Sequence, residues 1–565
     1  MEKRIVECVP NFSEGRDKAV IRQITSAIES SGGVKLLDVD PGEATNRTVV
    51  TFVGSPEAVI EAAFAGVKRA AELIDMRRHK GAHPRMGATD VLPLIPICGI
   101  TLAECAELAR KLAERIAAEL HVPTYCYEAA AFTPERRNLA VCRAGEYEAL
   151  PEKLAHKEAA PDFGARPFDD GVARTGATTV GARDFLIAVN FNLNTTSTRR
   201  ANAIAFDVRE KGRPVREGNP ITGKVVRDAD GNPLMRPGTL RATKAIGWYI
   251  EEYGIAQVSM NITDIAVTPL HVAFDEVCRK ADARGVRVTG TEIVGLVPKR
   301  ALLEAGRYFL RKQRRSAGIA EEEIVRIAVK SMGLDDLKPF DPKEKVIEYL
   351  LEAEDQKKRL IDMTCKGFAE ETASESPAPG GGSIAAYMGA LGAALGTMVA
   401  NLSSHKAGWD DRWEEFSGWA EKGQALLREL LHLVDEDTAA FNRIMAVFAM
   451  PKSTDEEKAA RSAALQAATL YATQVPLRTM KTAFEVFAIV RAMAAEGNPN
   501  SVSDAGVGAL AARSAVLGAC LNVKINAAGL KDRATADALV AEANAVAAAA
   551  ERAEREVLEI VERKI

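Results

Sequence analysis

Hydrophobic and polar positions follow two rhythms along this chain, with one change between them. Up to about residue 330, short alternating or apolar runs are interleaved with stripes at helical spacing; beyond it, only helical spacing persists. Arg4–Val9 alternates as a strand, and Val20, Ile21, Ile24 and Ile28 form one face of a helix over Asp17–Ser30. Strands Val34–Val39 and Arg47–Val53 flank the turn DPGEATN, and Pro56–Leu73 reads as a helix. Strand Val91–Ile97, helix Thr101–Leu120 and strand Pro123–Tyr127 follow. The order is β-α-β-β-α-β with one extra α-β, which predicts an open sheet with helices on one face. A second pass has strand Phe185–Leu193, helix Ser197–Arg209, paired strands Lys244–Glu251 and Gln257–Thr263, helix Pro269–Arg284, strand Val286–Leu296 and helix Lys299–Arg311. Two such ferredoxin-like layers would leave a cleft, bordered by the joining segment Ala160–Thr179, where a small molecule could bind.

The rhythm changes at LDDLKPFDPKEK, whose prolines and charges predict a linker. Helices are expected over Lys343–Glu370, Ser383–Ser403, Asp411–Ala449, Thr454–Glu496, Val502–Gly529 and Ala534–Arg563, most of them too long to be single straight helices. The expected class is therefore multidomain α/β plus all-α. Two α/β subdomains at 1–181 and 182–332 and a linker at 333–345 precede a helical bundle at 346–565. Ser383–Ser404 is uncharged over a membrane-spanning length, but Gly and Ala carry little transfer energy, so a buried helix of a soluble bundle is expected rather than a span.

Composition narrows the function. A 565-residue chain exceeds one core, and 47% hydrophobic with 27% charged residues is an ordinary soluble balance. The net charge of −4 gives no electrostatic case for nucleic acid. The start MEKRIVECVPNF lacks signal-peptide order, and the eight scattered cysteines form no CxxC or zinc spacing. A cytoplasmic protein with reduced thiols and no metal is expected.

Candidate chemistry concentrates in Ile74–Asp90. This helix-to-strand loop carries two of the chain's seven histidines, His79 and His83, with Lys80 and Arg85. A histidine among cations is biased toward its neutral, basic form. VPNFSEGR supplies Asn11, Ser13 and Glu14 at a strand end, where Ser13 could equally cap the next helix. LDVDPGEATNRT supplies Asp38, Asp40 and Asn46. In the helical half, Gly380, Gly381, Gly382 and Ser383 open a helix with bare amides, a potential anion pocket. Asp435 and Asp437, two apart, point to different faces of an otherwise apolar helix, where a carboxylate is costly unless used or paired.

VECVPNFSEG, LDVD, TNRTV, TFVG, LID, HPRMGA, RAGEYEALPEKL, APDFG, AIGWY and AQVS resemble glutamate formiminotransferase across residues 1–330. SPAPGGGSIAA, ALGAALG, LVDEDTAAF and ALQAA resemble formiminotetrahydrofolate cyclodeaminase. The whole chain is similar to the fused formimidoyltransferase-cyclodeaminase family. The resemblance implies transfer of a formimino group from formiminoglutamate to tetrahydrofolate, then cyclisation to methenyltetrahydrofolate with release of ammonia, within histidine degradation and one-carbon metabolism. It implies His83 as transferase acid/base and Asp437 as cyclodeaminase catalytic residue. Asp38, Asp40, His79 and Asp435 would support them, and Arg85 and Lys80 could meet substrate carboxylates. Folate or substrate contacts are expected from Asn11, Asn46, Gly164, Ala165, Arg166, Arg174, Thr175, Gly176, the Gly380–Ser383 turn and Ala463. The stretch RPFDDGVARTG is longer and more charged than the family pattern. Polyglutamylated tetrahydrofolate would be the co-substrate, with no metal or redox cofactor, and a homo-oligomer with dimers through the helical domain is implied. Two rivals are a helical domain acting as methenyltetrahydrofolate cyclohydrolase, and a folate-binding assembly scaffold without turnover.

Overall fold

The computed structural model describes residues 4–42, 46–81, 85–219, 222–354 and 359–565. The chain divides into two compact units: residues 1–301 with 332–352, and residues 302–331 with 353–565.

The first unit contains two α/β layers. In the first, β1 (Ile5–Cys8) and β2 (Asn11–Phe12) share one lane of the sheet, interrupted at Val9-Pro10. Helix α1 (Lys18–Ser30) leads to β3 (Val34–Gly42) and β4 (Arg47–Gly54), then α2 (Pro56–Leu73) to β5 (Thr89–Cys98). Helix α3 (Leu102–Leu120) leads to β6 (Thr124–Glu128). Short helices α4 (Leu139–Cys142), α5 (Leu150–Ala155) and α6 (Asp170–Thr175) precede β7 (Thr178–Ala182). The strand order is β3-β4-β1/β2-β5-β7-β6, with β5–β7 and β6–β7 parallel and the remaining pairs antiparallel. Helix α2 shows why the local sequence folds this way. Ser55 caps its first turn, Pro56 is preset for the N1 position, and Val59, Ala62, Ala63, Gly66, Val67 and Ala70 form its buried stripe.

Alternation along the strands gives the sheet two unlike faces. Val6, Cys8, Val50, Phe52, Leu92 and Leu94 pack under the helices. The register places Glu7, Asn11, Arg47, Asp38 and Asp40 on the opposite, polar face.

The second layer runs β8 (Ile187–Leu193), α7 (Thr198–Val208), the two-residue pair β9 (Arg213–Pro214) and β10 (Met235–Arg236), then β11 (Thr243–Ile250), β12 (Ile255–Ile262), α8 (Leu270–Asp282) and β13 (Val288–Val294). Its main sheet is antiparallel in the order β11-β12-β8-β13. After α9 (Lys299–Lys312) and α10 (Glu321–Met332), the chain returns to this unit. The expected linker at 333–345 is docked, not extended. Gly333 O accepts from Thr291 N, Asp336 Oδ2 accepts from Asn192 Nδ2 and Thr289 Oγ1, and Val346 and Ile347 are fully buried.

Lys343–Glu370 is not one helix. It contains α11 (Pro342–Lys345), α12 (Ile347–Glu354) and α13 (Cys365–Thr372), broken where Val297 N donates to Lys345 O and Ile347 N donates to Val297 O. Conversely, the long helical stretches are continuous: α14 (Gly381–Ser404), α15 (Trp413–Phe448), α16 (Asp455–Glu496), α17 (Val502–Ala527) and α18 (Arg533–Glu562). A proline inside α16, Pro476, does not end it. Small residues let α14 and α17 approach closely; a Cβ on Gly392 would lie 2.9 Å from Gly508 O. Two helical segments, Gly381–Ser404 and Pro499–Ala527, are long and apolar enough to cross a membrane. Core packing accounts for that hydropathy in α14, where Ala385, Ala386, Ala390, Ala393, Val399 and Ala400 are buried in the bundle.

Candidate active sites

In the first layer, three loops at the strand ends are tied together by one asparagine. Asn46 has φ 48°, a left-handed conformation that asparagine tolerates better than most residues. Its Oδ1 accepts from Gly15 N at 3.0 Å, and its Nδ2 donates to Lys80 O at 3.2 Å. Its carbonyl lies 2.8 Å from His79 Nε2. Gly15 allows this closure, because a Cβ there would lie 2.4 Å from Gly42 O. Glu14 accepts from the amides of Arg16 and Asp17, and its carbonyl accepts from Thr48 Oγ1 at 2.5 Å.

His79 is buried with both ring nitrogens engaged. Arg85 Nε donates to Nδ1 at 3.3 Å; since that nitrogen accepts, Nε2 carries the hydrogen donated to Asn46 O. His79 is therefore a brace between loops; His83, expected to be the acid/base, lies outside the described residues. Arg85 is also committed. It donates to Glu148 at 2.7 and 2.9 Å and to Glu146 at 3.2 Å. These carboxylates hold its guanidinium above its usual pKa, and Arg85 in turn holds Glu148 below the ordinary carboxylate range. The expectation that Arg85 meets a substrate carboxylate thus runs against two internal carboxylates already on it. Lys80, Gly81, Arg85, Gly145, Glu146 and Glu148 line an open pocket of about 480 Å³, with Lys80 exposed.

Asp38 and Asp40 are exposed on the edge strand, and no described contact joins either to His79. Ser13 does not cap α1, a role Asp17 fills; Ser13 is buried and donates to Gly87 O at 2.7 Å. Asn11 Nδ2 donates to Val9 O, and its Oδ1 accepts from Arg47.

The 164–176 segment divides between two supports. Gly164 and Ala165 are exposed near the end of α3, where Arg166 pairs with Asp169 and donates to His121 O. Arg174, Thr175 and Gly176 instead support the histidine loop. Arg174 O accepts from Met76 N at 2.8 Å, Thr175 O accepts from Ala88 N at 2.7 Å, and Gly176 bridges to Gly87. A Cβ on Gly176, at φ 67°, would lie 2.2 Å from Met86 O. The described contacts that position the loop come from the first layer.

Three ionisable groups sit in or at the core of this layer, where periodicity alone does not mark them. Asp90 is fully buried and pairs with Arg143 at 2.7 Å, while its other oxygen accepts from Met86 N at 2.9 Å. Glu7 is buried beneath the polar face, and burial pushes its carboxyl up to about 7 against the pull of Arg183. The signal was available: Glu7 interrupts the apolar run IVEC, Asp90 begins an apolar strand, and Arg143 opens RAGEYEAL.

In the helical unit, the turn before α14 meets the middle of α15. Gly382 lies directly against Asp437, where a Cβ would be 2.1 Å from its Oδ1 and 2.5 Å from its Cγ. Burial pushes the Asp437 carboxyl above the usual carboxylate range, opposed by hydrogen bonding from the Ser383 hydroxyl and amide. Ser383 Oγ lies 2.8 Å from Val434 O and 3.3 Å from Asp437 Oδ2. The Ser383 hydroxyl is thus shared between the Val434 carbonyl and the Asp437 carboxyl. The Ser383 amide, expected to face a ligand anion, serves Asp437 itself. Gly380, Gly381, Asp437, Phe441, Asn522 and Asn526 border a cavity of about 160 Å³. Asp435 points elsewhere: its Oδ1 accepts from Leu360 N at 2.6 Å. Ala463 is exposed and does not line this cavity; it is nine residues before Ala472, the α16 residue that does, about 13 Å along the helix.

The formiminotransferase N-terminal subdomain model matches residues 5–183, the formiminotransferase domain model residues 188–352, and the formiminotransferase-cyclodeaminase model residues 364–545. Formimidoyltransferase-cyclodeaminase of Mus musculus is 43% identical over 529 residues, covering 94% of this chain and 93% of its own. The chain belongs to the formimidoyltransferase-cyclodeaminase family. Each half of this family member also has relatives of its own. Glutamate formimidoyltransferase of Streptococcus pyogenes is 42% identical, covering 54% of this chain and 93% of its own. Methenyltetrahydrofolate cyclohydrolase of Methylorubrum extorquens is 40% identical, covering 36% of this chain and 97% of its own.

Proposed function

We propose that the chain catalyses two consecutive reactions on tetrahydrofolate. In the α/β unit, nitrogen five of tetrahydrofolate attacks the formimino carbon of formiminoglutamate. The tetrahedral adduct then collapses with loss of the glutamate amine. One proton leaves the attacking nitrogen and one reaches the departing nitrogen, and His83 relays both. His79, Asn46 and Arg85 hold the neighbouring segments of this loop. In the helical unit, nitrogen ten attacks the formimino carbon, and ammonia departs as the ring closes to methenyltetrahydrofolate. Asp437 supplies the proton that makes the nitrogen a good leaving group.

The observation that carries this reading is the Asp437 carboxyl, pressed on Gly382 and biased by burial toward its protonated form. The strand orders β3-β4-β1-β5 and β11-β12-β8-β13 support reading both α/β layers as ferredoxin-like. The eight scattered cysteines, with no CxxC or zinc spacing, support a cytoplasmic setting. Exposed Phe441, Met445 and Phe448 on α15 support homo-oligomer contacts through the helical unit. A polyglutamylated folate is the inferred co-substrate.

His83→Ala tests the first step. Glutamate release should fall by roughly a hundredfold or more, the usual scale for losing a general acid/base, with ammonia release from supplied formiminotetrahydrofolate unchanged. Normal transfer by this variant would remove His83 from the mechanism. The similarity to a methenyltetrahydrofolate cyclohydrolase favours a second reading of the helical unit, in which water opens the methenyl ring. Ammonia release by the full chain separates the two.

A further inference from the structure

Helix α16 runs unbroken through Pro476, and the hydrogen bond lost there is replaced from α17. Proline has no N–H, so the carbonyl four residues earlier, that of Ala472, has no helical donor. Asn526 Nδ2 supplies one at 2.7 Å. This bond fixes which way the Asn526 amide points, because only its nitrogen can donate to a carbonyl. Asn522, one turn earlier on the same face of α17, is fixed likewise by donating to Gly518 O at 3.0 Å. Both residues are half-buried and border the Asp437 cavity. No described group donates to either side-chain oxygen, and neither oxygen is sealed in the core. The Asp437 carboxyl of α15 thus shares its cavity with two amides of α17 whose acceptors are unspent.

We infer that Asn526 and Asn522 accept hydrogen bonds from the formimino nitrogen, hold it at Asp437 and select it over the oxygen of an isosteric formyl group. This rests on the ring-closure reading of the helical unit. The formimino nitrogen bears hydrogens at every stage. It has two in the protonated substrate and two in the adduct formed when nitrogen ten bonds the carbon. It has three as ammonia, once Asp437 has passed it the proton that nitrogen ten gives up and the carbon–nitrogen bond breaks. Amide oxygens can bond it throughout. A formyl oxygen has no hydrogen, so it would set its lone pairs against both acceptors and leave them unpaired.

The test supplies 5-formiminotetrahydrofolate to the full chain, reads ammonia release, and adds 5-formyltetrahydrofolate as the competing ligand. This readout follows the helical unit alone. The wild type should be inhibited weakly, with a Ki at least about tenfold above KM for the substrate. Asn526→Leu should lower kcat for ammonia release about tenfold or more and narrow the preference for formimino over formyl. Asn522→Leu should narrow that preference too. Because Asn526→Leu also strips Ala472 O of its donor, Pro476→Ala is added to it, returning a helical N–H to that carbonyl. The double variant should melt as the wild type does and remain slow. Recovery of ammonia release in the double variant would reduce Asn526 to a structural partner of α16 and overturn the proposal, as would an unchanged preference in Asn526→Leu. Absence of ammonia release by the wild type would instead count against ring closure. Calorimetric titration of 5-formiminotetrahydrofolate would then decide the acceptor pair, because the transferase site contributes equally to both proteins: weaker binding by the double variant than by the wild type would support it, and equal binding would overturn it.

Discussion

At the scale of single residues, both halves depend on a carboxyl held against its normal ionisation. Glu7, buried on the polar face of the first sheet, keeps its proton up to about pH 7 in the folded chain, against an ordinary value of 4.5. Between these values the folded state binds more protons than the unfolded one, so stability falls as pH rises through this window. The full effect is about 3 kcal/mol before any relaxation of the fold. Glu7→Gln should therefore narrow the difference in thermal stability between pH 5 and pH 8, raising the melting temperature at pH 8. An unchanged pH dependence would show that Glu7 does not carry the proton. Asp437 carries the same sign of shift. Asp437→Asn should be at least as stable as the wild type at pH 8, so its loss of activity would not be misfolding.

At the scale of elements, the start of α14 sets Asp437 as firmly as α15 does. Gly382→Ala would drive a methyl into the carboxyl, so the side chain must swing away. Ammonia release should fall about tenfold or more, a misplacement effect, while glutamate release from the other unit is retained. Wild-type ammonia release from this variant would show that the contact is not needed. Periodicity made most elements legible: Pro56–Leu73 coincides with its helix, and the strands of both layers fall within a few residues of their predicted ends. The failures have physical causes. Strand β7 is a run of five buried residues in parallel pairing and does not alternate. The long helical stretches, expected to be too long for single helices, keep their predicted ends within a few residues but run unbroken. The site was legible as loops and charges, but not as partnerships. Nothing in the spacing of His79 and Arg85 shows that the ring is held by Asn46 or the guanidinium by Glu148, some sixty residues away.

At the scale of the whole molecule, the end of the transferase unit is set by packing rather than by composition. Residues 332–352 return to the α/β unit, with Val346 and Ile347 buried and Asp336 bonded to Asn192. A fragment ending at residue 352 should melt higher and release glutamate faster than one ending at residue 330, where the composition begins to change; equal behaviour would place the boundary earlier. The central claim is that one chain runs transfer and ring closure at separate sites. Its most direct test is a mass-resolved assay of glutamate, ammonia and folate products from formiminoglutamate and tetrahydrofolate, comparing the full chain with Asp437→Asn. The wild type should release glutamate and ammonia in equal amounts and form methenyltetrahydrofolate. Asp437→Asn should release glutamate normally, accumulate formiminotetrahydrofolate and lose ammonia release by roughly a hundredfold. Full ammonia release from that variant, or equal loss of both products, would contradict the account.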